Sequence, residues 1–264
     1  MFKIADYKKK NKFYPQNRDY YFIDQLSIFY LIKFILRKII RRCLPKKNKF
    51  PLEIATVYQN IKIYHRRDLH GEGMTVGTDY IRLITSLNLK NIKNVFEFCS
   101  GPGYIGYNLL ANQFCEKLIL ADINPNSIEC ANLTKKNNNL EDKVEIYLSD
   151  VMDNVKTKYK FDLVVGNPVH FDETYNKNEW RYHTNRNLIA SDNEWKIHKK
   201  FYEQIPKYMN KNGYIIMQEN SSGSEENIFK EMIIKNGGEY IGKSDGISIN
   251  GIGNGMHYII SKWN

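Results

Sequence analysis

The rhythm of apolar and polar positions divides the chain at Pro45 to Pro51. Ahead of that point a polar, tyrosine-rich stretch with Lys8, Lys9 and Lys10 in a row reads as a loosely ordered tail. From Phe22 to Leu44 the pattern becomes helical: Lys33, Arg37 and Arg41 fall four apart, with Lys38 and Arg42 on the same side. Pro45, Lys46, Lys47, Asn48, Lys49 and Pro51 end this basic amphipathic helix and mark a domain boundary. Beyond it, Ile54 to His65 is strand-like. Gly71, Glu72, Gly73 and Gly77 read as a loop, and Thr78 to Leu89 as a helix. A regular alternation follows. Strands are predicted at Asn94 to Phe98, Lys117 to Asp122, Val144 to Leu148, Phe161 to Gly166, Gly213 to Glu219, Tyr240 to Lys243 and Met256 to Lys262. Helices are predicted near Tyr104 to Gln113, Pro125 to Asn138, Trp195 to Met209 and Glu225 to Asn236. This order implies an α/β fold, a mostly parallel seven-stranded sheet with right-handed crossovers and helices on both faces. Only Ser244 to Gly255 separates the last two strands, which predicts a C-terminal antiparallel hairpin at one edge. No internal repeat is present.

Composition narrows this further. A chain of 264 residues, 42% of them hydrophobic, can build one sizeable core with an appendage, and neither a disordered nor a collagen-like chain fits. The net charge of +10 is concentrated: residues 1–51 carry 14 Lys/Arg against 3 Asp/Glu, and residues 52–264 carry 25 against 26. The chain therefore divides into a basic N-terminal extension, 1–51, and a nearly neutral domain, 52–264. Cys43, Cys99, Cys115 and Cys130 show neither paired spacing nor a neighbouring His, which points to a cytoplasmic protein without structural metal. Asp24, Lys33, Arg37 and Lys38 interrupt the apolar run from Phe22 to Ile40, so it falls short of a spanning helix, and no small-residue cleavage site follows it.

Four features carry chemistry. Glu97-Phe98-Cys99-Ser100-Gly101-Pro102-Gly103 runs from a buried strand into a turn where Gly101 and Gly103 admit backbone dihedrals and close approach that a side chain would prevent. Gly-x-Gly-x-x-Gly alone also fits a dinucleotide fingerprint. Glu97, four residues before Gly101 at the strand's carboxyl end, sharpens the signal. Asp122 ends the next strand, 16 residues after Gly106, where a carboxylate can accept hydrogen bonds from both hydroxyls of a ribose. Ser149-Asp150 ends the following strand, suited to an adenine amino group. Asn167-Pro168-Val169-His170-Phe171 follows the fourth strand, beside the first if the sheet reverses order there.

These motifs together resemble class I S-adenosylmethionine-dependent methyltransferases, and within them the Asn-Pro-Pro-Tyr amino-methyltransferases acting on release-factor glutamine, adenine N6 or ribosomal RNA guanine. The resemblance covers roughly Thr78 to Trp263 and implies a Rossmann-like sheet. It implies that Glu97, Cys99 and the Gly101 and Gly103 turn lie near the methionine part of S-adenosylmethionine. Asp122 would hold the ribose, Asp150 and Val151 would face the adenine, and Asn167 would sit beside the cofactor as well as the substrate. Asn167 and the Pro168 carbonyl are the implied catalytic pair. They would accept the N–H groups of an amide or exocyclic amine and aim its lone pair at the methyl group.

Two positions depart from the family. Cys99 stands where the family usually has glycine, and Val169-His170 replaces the second proline and the aromatic, with Phe171 one place later. His170 can stack on a planar group or serve as a general base. Val169, Phe171, and Trp180 and Arg181 in the long polar segment that follows are expected to meet the substrate. Gln218-Glu219-Asn220 can add a polar contact or cap the helix after Ser224. The acceptor is expected to be a protein or RNA amino group, with a small metabolite or saccharide, N- or O-methylated, as the alternative. A non-catalytic binder on this scaffold and a nicotinamide-dependent oxidoreductase remain competing classes. Residues 1–51 suit three roles: a membrane-surface helix peripheral to a bilayer, a nucleic-acid clamp, or a helix docked on its own domain.

Overall fold

A computed structural model describes residues 52–66, 69, 73–172, 191–221, 223–246 and 256–264. The basic arm 1–51 and the proposed substrate residues Trp180 and Arg181 lie outside the described residues.

The first strand-like stretch is a hairpin, not one strand. β1 (Leu52–Tyr58) and β2 (Ile61–Arg66) pair antiparallel through a two-residue turn in which Gln59 is left-handed (φ 50°). A Gln-Asn turn lacks the glycine that usually announces such a reversal, so the pattern ran through it. The expected loop at Gly73 and Gly77 is also corrected: α1 (Gly73–Ser86) begins there. A Cβ on Gly77 would lie 2.5 Å from Asn108 Nδ2, so this glycine serves close helix packing and not a turn.

β3 (Asn94–Phe98), α2 (Tyr104–Ala111), β4 (Lys117–Asp122), α3 (Pro125–Asn137), β5 (Val144–Leu148) and β6 (Phe161–Gly166) follow as the sequence predicts. The next helix, α4 (Lys196–Gln204), is shorter than expected, because a 3-10 turn containing Pro206 takes over at Ile205. β7 (Met209–Asn220), α5 (Glu226–Lys235), β8 (Gly238–Asp245) and β9 (Met256–Trp263) complete the domain.

The seven-stranded sheet has the order β5-β4-β3-β6-β7-β9-β8. β3 through β7 run parallel, and β9 lies antiparallel between β7 and β8, giving the expected terminal hairpin. Alternate side chains feed two cores. Val95, Leu118, Leu120, Leu163 and Val165 face one layer, with Tyr80, Ile84, Tyr107 and Leu109 from α1 and α2. Phe96, Ile119, Val164, Ile215 and Met217 face the other, with Phe201 and Tyr202 from α4 and Phe229 and Ile233 from α5. Burying both faces is what lets parallel strands read as nearly continuous apolar runs. The order reverses between β3 and β6: the chain leaving β3 goes to α2 on one face and the chain leaving β6 goes on to α4 on the other, which is the kind of switch point where α/β sheets take ligands.

Candidate active site

The turn after β3 coils tightly. Cys99 (φ 50°), Gly101 (φ 53°) and Gly103 (φ 89°) are all left-handed. A Cβ on Gly103 would meet Tyr107 and Leu120 at 2.8 and 2.9 Å, whereas one on Gly101 would meet nothing within 4 Å. Gly101 thus offers bare backbone to open space, and Gly103 lets α2 close against β4. Gly103 as N-cap has no side chain with which to satisfy the first N–H groups of α2. Glu97 does so from the preceding strand. Its Oε2 accepts the Gly106 N–H at 2.7 Å and its Oε1 the Ile105 N–H at 3.3 Å. The carboxyl is only 2% exposed, and burial pushes it up to about 8 against the pull of those two donors.

Asp122, at the end of β4, ties two neighbours together. Its Oδ2 accepts the Gly101 N–H at 2.7 Å and its Oδ1 the Asn124 N–H at 2.8 Å. The Ile123 N–H also favours the ionised carboxyl, and of the roughly four lone-pair sites of a carboxylate room remains for a hydroxyl donor. Burial raises its pKa against those donors. Ile123, next in the chain, is 48% exposed, an apolar face without a sequence signature, since isolated surface Ile residues are common.

At the end of β5, Ser149 is buried and its Oγ accepts the Asn154 N–H at 3.0 Å. Asp150 points outwards, its Oδ2 paired at 2.6 Å with Lys200, which also holds Asp153 at 2.6 Å. Val151 is buried and left-handed (φ 53°), an outlier for a β-branched residue that holds the strand end in a fixed bend.

The Asn167–Phe171 corner leaves β6 beside β3. The Tyr80 hydroxyl on α1 donates to the Gly166 carbonyl immediately before it. Asn167 and His170 are half-buried, Val169 likewise, and Pro168 and Phe171 are buried. The Asp192 N–H donates to the Phe171 carbonyl at 2.8 Å, so the two ends of the polar segment meet at the rim. Glu97, Cys99, Gly101, Gly103, Asp122, Asn167, Pro168 and His170 thus all stand on the carboxyl ends of β3, β4 and β6, with Asp150 and Val151 on the next strand outwards.

A charged line behind the corner was not legible beforehand. Glu219, at the end of β7, does not cap α5: its Oε2 lies 3.4 Å from His170 Nδ1, and its Oε1 lies 3.0 Å from His198 Nε2. His198 Nδ1 in turn lies 2.6 Å from Asp192 Oδ2. Asp192 also accepts the N–H groups of Ile197 and His198 at the start of α4, at 2.8 and 3.1 Å. Burial opposes charge on His198, but the Glu219 and Asp192 carboxylates outweigh it and raise the imidazole to about 9. Burial likewise works against Glu219, yet His198 and His170 bring it down to about 2. Carboxylates act on the rim: the Cys99 thiol is pushed up first by burial and then by Asp122, Asp192, Asp150 and Glu219. A cationic sulfonium and an amino group fit such a field, and the open backbone at Gly101 with the ribose-competent Asp122 fits the rest of S-adenosylmethionine. Among the described residues no His, Cys, Asp and Glu side chains group as metal ligands.

Comparison with known proteins agrees with this geometry. The chain is 30% identical over 139 residues to the ribosomal protein uL3 glutamine methyltransferase of Francisella tularensis, covering 51% of this chain and 44% of that one. It is 27% identical over 126 residues to the release factor glutamine methyltransferase of Aquifex aeolicus, covering 47% and 44%. To the tRNA1(Val) (adenine(37)-N6)-methyltransferase of Actinobacillus pleuropneumoniae it is 26% identical over 129 residues, covering 48% and 54%. The chain therefore spans about half the length of the curated relatives it matches. Among solved structures, the 16S rRNA N2 G1207 methyltransferase of T. thermophilus, in complex with AdoMet and guanosine, shares the fold. Its TM-score is 0.55 at 13% identity, over 84% of this chain and 52% of that one. An S-adenosylmethionine-dependent methyltransferase from Clostridium acetobutylicum aligns with a TM-score of 0.51 at 11% identity, over 90% of this chain and 100% of that one. Residues 75–236, more than half of the chain, match the family described as Methyltransferase small domain, and the chain belongs to that family.

Proposed function

We propose that this protein transfers a methyl group from S-adenosylmethionine to a nitrogen of a protein or RNA. The observation that carries the reading is the convergence of the Gly101–Gly103 turn, Asp122 and the Asn167-Pro168 corner on one rim, at the point where the sheet reverses order. The relatives named above are methyltransferases of glutamine or of adenine N6, both planar nitrogen groups.

The cofactor, when bound, supplies an electrophilic methyl group on a positively charged sulfur. Asp122 would accept the ribose hydroxyls while keeping its hold on the Gly101 N–H. Ile123 would give the adenine an apolar wall, and Asp150 with Val151 would border its far side. Asn167 Oδ1 and the Pro168 carbonyl would accept the two N–H groups of the acceptor, turning its delocalised lone pair towards the methyl group and stabilising the charge that develops. Tyr80 steadies that corner through the Gly166 carbonyl. Val169 and Phe171, with Trp180 and Arg181 beyond the described residues, would shape the acceptor's approach.

The arm 1–51 belongs to the same proposal only by its charge, as a contact to a membrane surface or to nucleic acid, and the cysteine spacing supports a cytoplasmic setting. The test is mass-spectrometric comparison of methylated products from cells with and without the protein, in macromolecular and small-molecule fractions. A new methyl-nitrogen in protein or RNA, absent when Asn167 is replaced by Ala, supports the proposal. A product confined to small molecules or to oxygen would replace it.

A further inference from the structure

Buried ionisable groups are costly, and a hydrophobic replacement of similar size usually serves stability as well or better. Here three of them, Asp192, His198 and Glu219, are no more than 1% exposed and stand in single file. The file ends on one half-open group, His170, whose side chain is 11% exposed at the rim. Both nitrogens of His198 face carboxylate oxygens, at 2.6 and 3.0 Å. A neutral imidazole would present one of those oxygens with a lone pair, so both nitrogens carry protons and His198 is an imidazolium. The rings of Trp195 and Phe229 pack against it at 5.4 and 5.0 Å and shut it from water. Glu219, between the two histidines, is left ionised, and it also accepts from the Ser224 hydroxyl at 3.2 Å. A carboxylate facing His170 Nδ1 calls for a proton on that nitrogen, which leaves the lone pair on Nε2.

We propose that Asp192, His198 and Glu219 are positioning residues that hold His170 as the proton acceptor for the group being methylated. This inference rests on the methyltransferase reading and deepens it. It assigns the acceptor to those nitrogens that must shed a proton when they are methylated, such as an amide or an exocyclic amine. The acceptor nitrogen forms its N–CH3 bond with its own lone pair while the S–CH3 bond breaks, and that pair stays on sulfur. The methylated nitrogen is then positively charged, and its proton passes to His170 Nε2. With His170 neutral the four groups sum to one negative charge; with His170 protonated they sum to zero. Glu219 therefore stabilises the proton as it arrives, and His198 keeps Glu219 from taking it instead.

The first arm of the test needs neither cofactor nor acceptor. In the full chain labelled with 15N-histidine at neutral pH, His198 should show both ring nitrogens protonated and His170 the Nδ1–H tautomer. A neutral His198, or an Nε2–H tautomer at His170, overturns the relay. The second arm follows methyl transfer from labelled S-adenosylmethionine to protein and RNA extracted from cells lacking the gene product. His170→Ala and Glu219→Gln should each lower single-turnover transfer by about 10²–10⁴-fold. Calorimetric affinity for S-adenosylmethionine should stay unchanged. Added imidazole should restore part of the His170→Ala loss, which a purely structural role would not allow. Full activity in both variants, or no rescue by imidazole, counts against the relay. Failure of the wild-type chain to bind S-adenosylmethionine would strike the methyltransferase reading, while the first arm still decides the relay.

Discussion

The carboxylate of Asp122 accepts the backbone N–H of Gly101 at 2.7 Å, so the end of β4 holds the turn that leaves β3. One side chain thus shapes the turn and, on the proposed mechanism, binds the ribose. Charge-assisted hydrogen bonds contribute about 1.5–3 kcal/mol each. Asp122→Ala should therefore weaken S-adenosylmethionine binding by on the order of 10–100-fold in calorimetry. An unaltered affinity would remove the proposed ribose contact.

Glu97 predicts a proton on the move. With its pKa pushed up to about 8 by burial, it is mostly protonated at pH 7 in the free protein. A cation bound nearby lowers that value, so cofactor binding at pH 7 should release protons into solution, up to about one per site. Calorimetry in buffers of different ionisation enthalpy reads this number directly. Glu97→Gln should abolish the release, and a release unaffected by the substitution would place the titrating group elsewhere.

Backbone conformation at Cys99 and side-chain space at Gly106 make opposite predictions. Cys99 is left-handed (φ 50°), a conformation that costs an L-residue about 1–2 kcal/mol and that glycine adopts freely. Cys99→Gly should leave stability within about 1 kcal/mol of the parent, although it removes a half-buried side chain, and Cys99→Val should cost about 2 kcal/mol or more. Gly106 has the opposite constraint. A Cβ there would lie 2.5 Å from Leu118 Cδ1 and 2.7 Å from Glu97 Oε2. Gly106→Ala should destabilise by about 1–3 kcal/mol in urea unfolding.

The relay gives stability a pH window. His198 is raised to about 9, so its contribution is complete below its ordinary value of 6.5 and disappears as pH rises through 9. Glu219 is lowered to about 2, so its contribution is complete above its ordinary value of 4.5 and disappears as pH falls through 2. Between about 4.5 and 6.5 both contributions are complete and the His198 part declines above that, while Glu97, raised to about 8, adds its own loss of stability as pH climbs from 4.5 towards 8. His198→Ala leaves Asp192 and Glu219 buried without their cation and should cost roughly 3–5 kcal/mol at pH 6. Urea melts across pH check both points: the decline between pH 6.5 and 9 should be shallower in His198→Ala, and an unchanged limb would assign it wholly to other groups such as Glu97.

Much of the fold was legible because local periodicity and tertiary burial agree. Parallel strands buried on both faces are apolar runs, and the helices between them announce themselves by length and by caps such as Asn124, whose side chain accepts the Asn126 N–H. The differences have separate causes: the Gln59-Asn60 turn carries no glycine to announce it, Gly77 is held in a helix by its packing on Asn108, and α4 stops early ahead of Pro206.

The sequence by itself determined the alternation of elements, the glycine turn, the acids at consecutive strand ends and the Asn-Pro corner, because each is written in a few contiguous residues. Only the tertiary structure decided what those acids do. It turned Glu97 inwards onto the first turn of α2, set Asp150 against Lys200, and joined Asp192, His198 and Glu219 behind His170. His170 and Glu219 stand 49 residues apart, and they meet because β6 and β7 pair in parallel and finish at the same rim. Spacing along the chain carries no trace of such a meeting; the hydrogen-bond register of the sheet does.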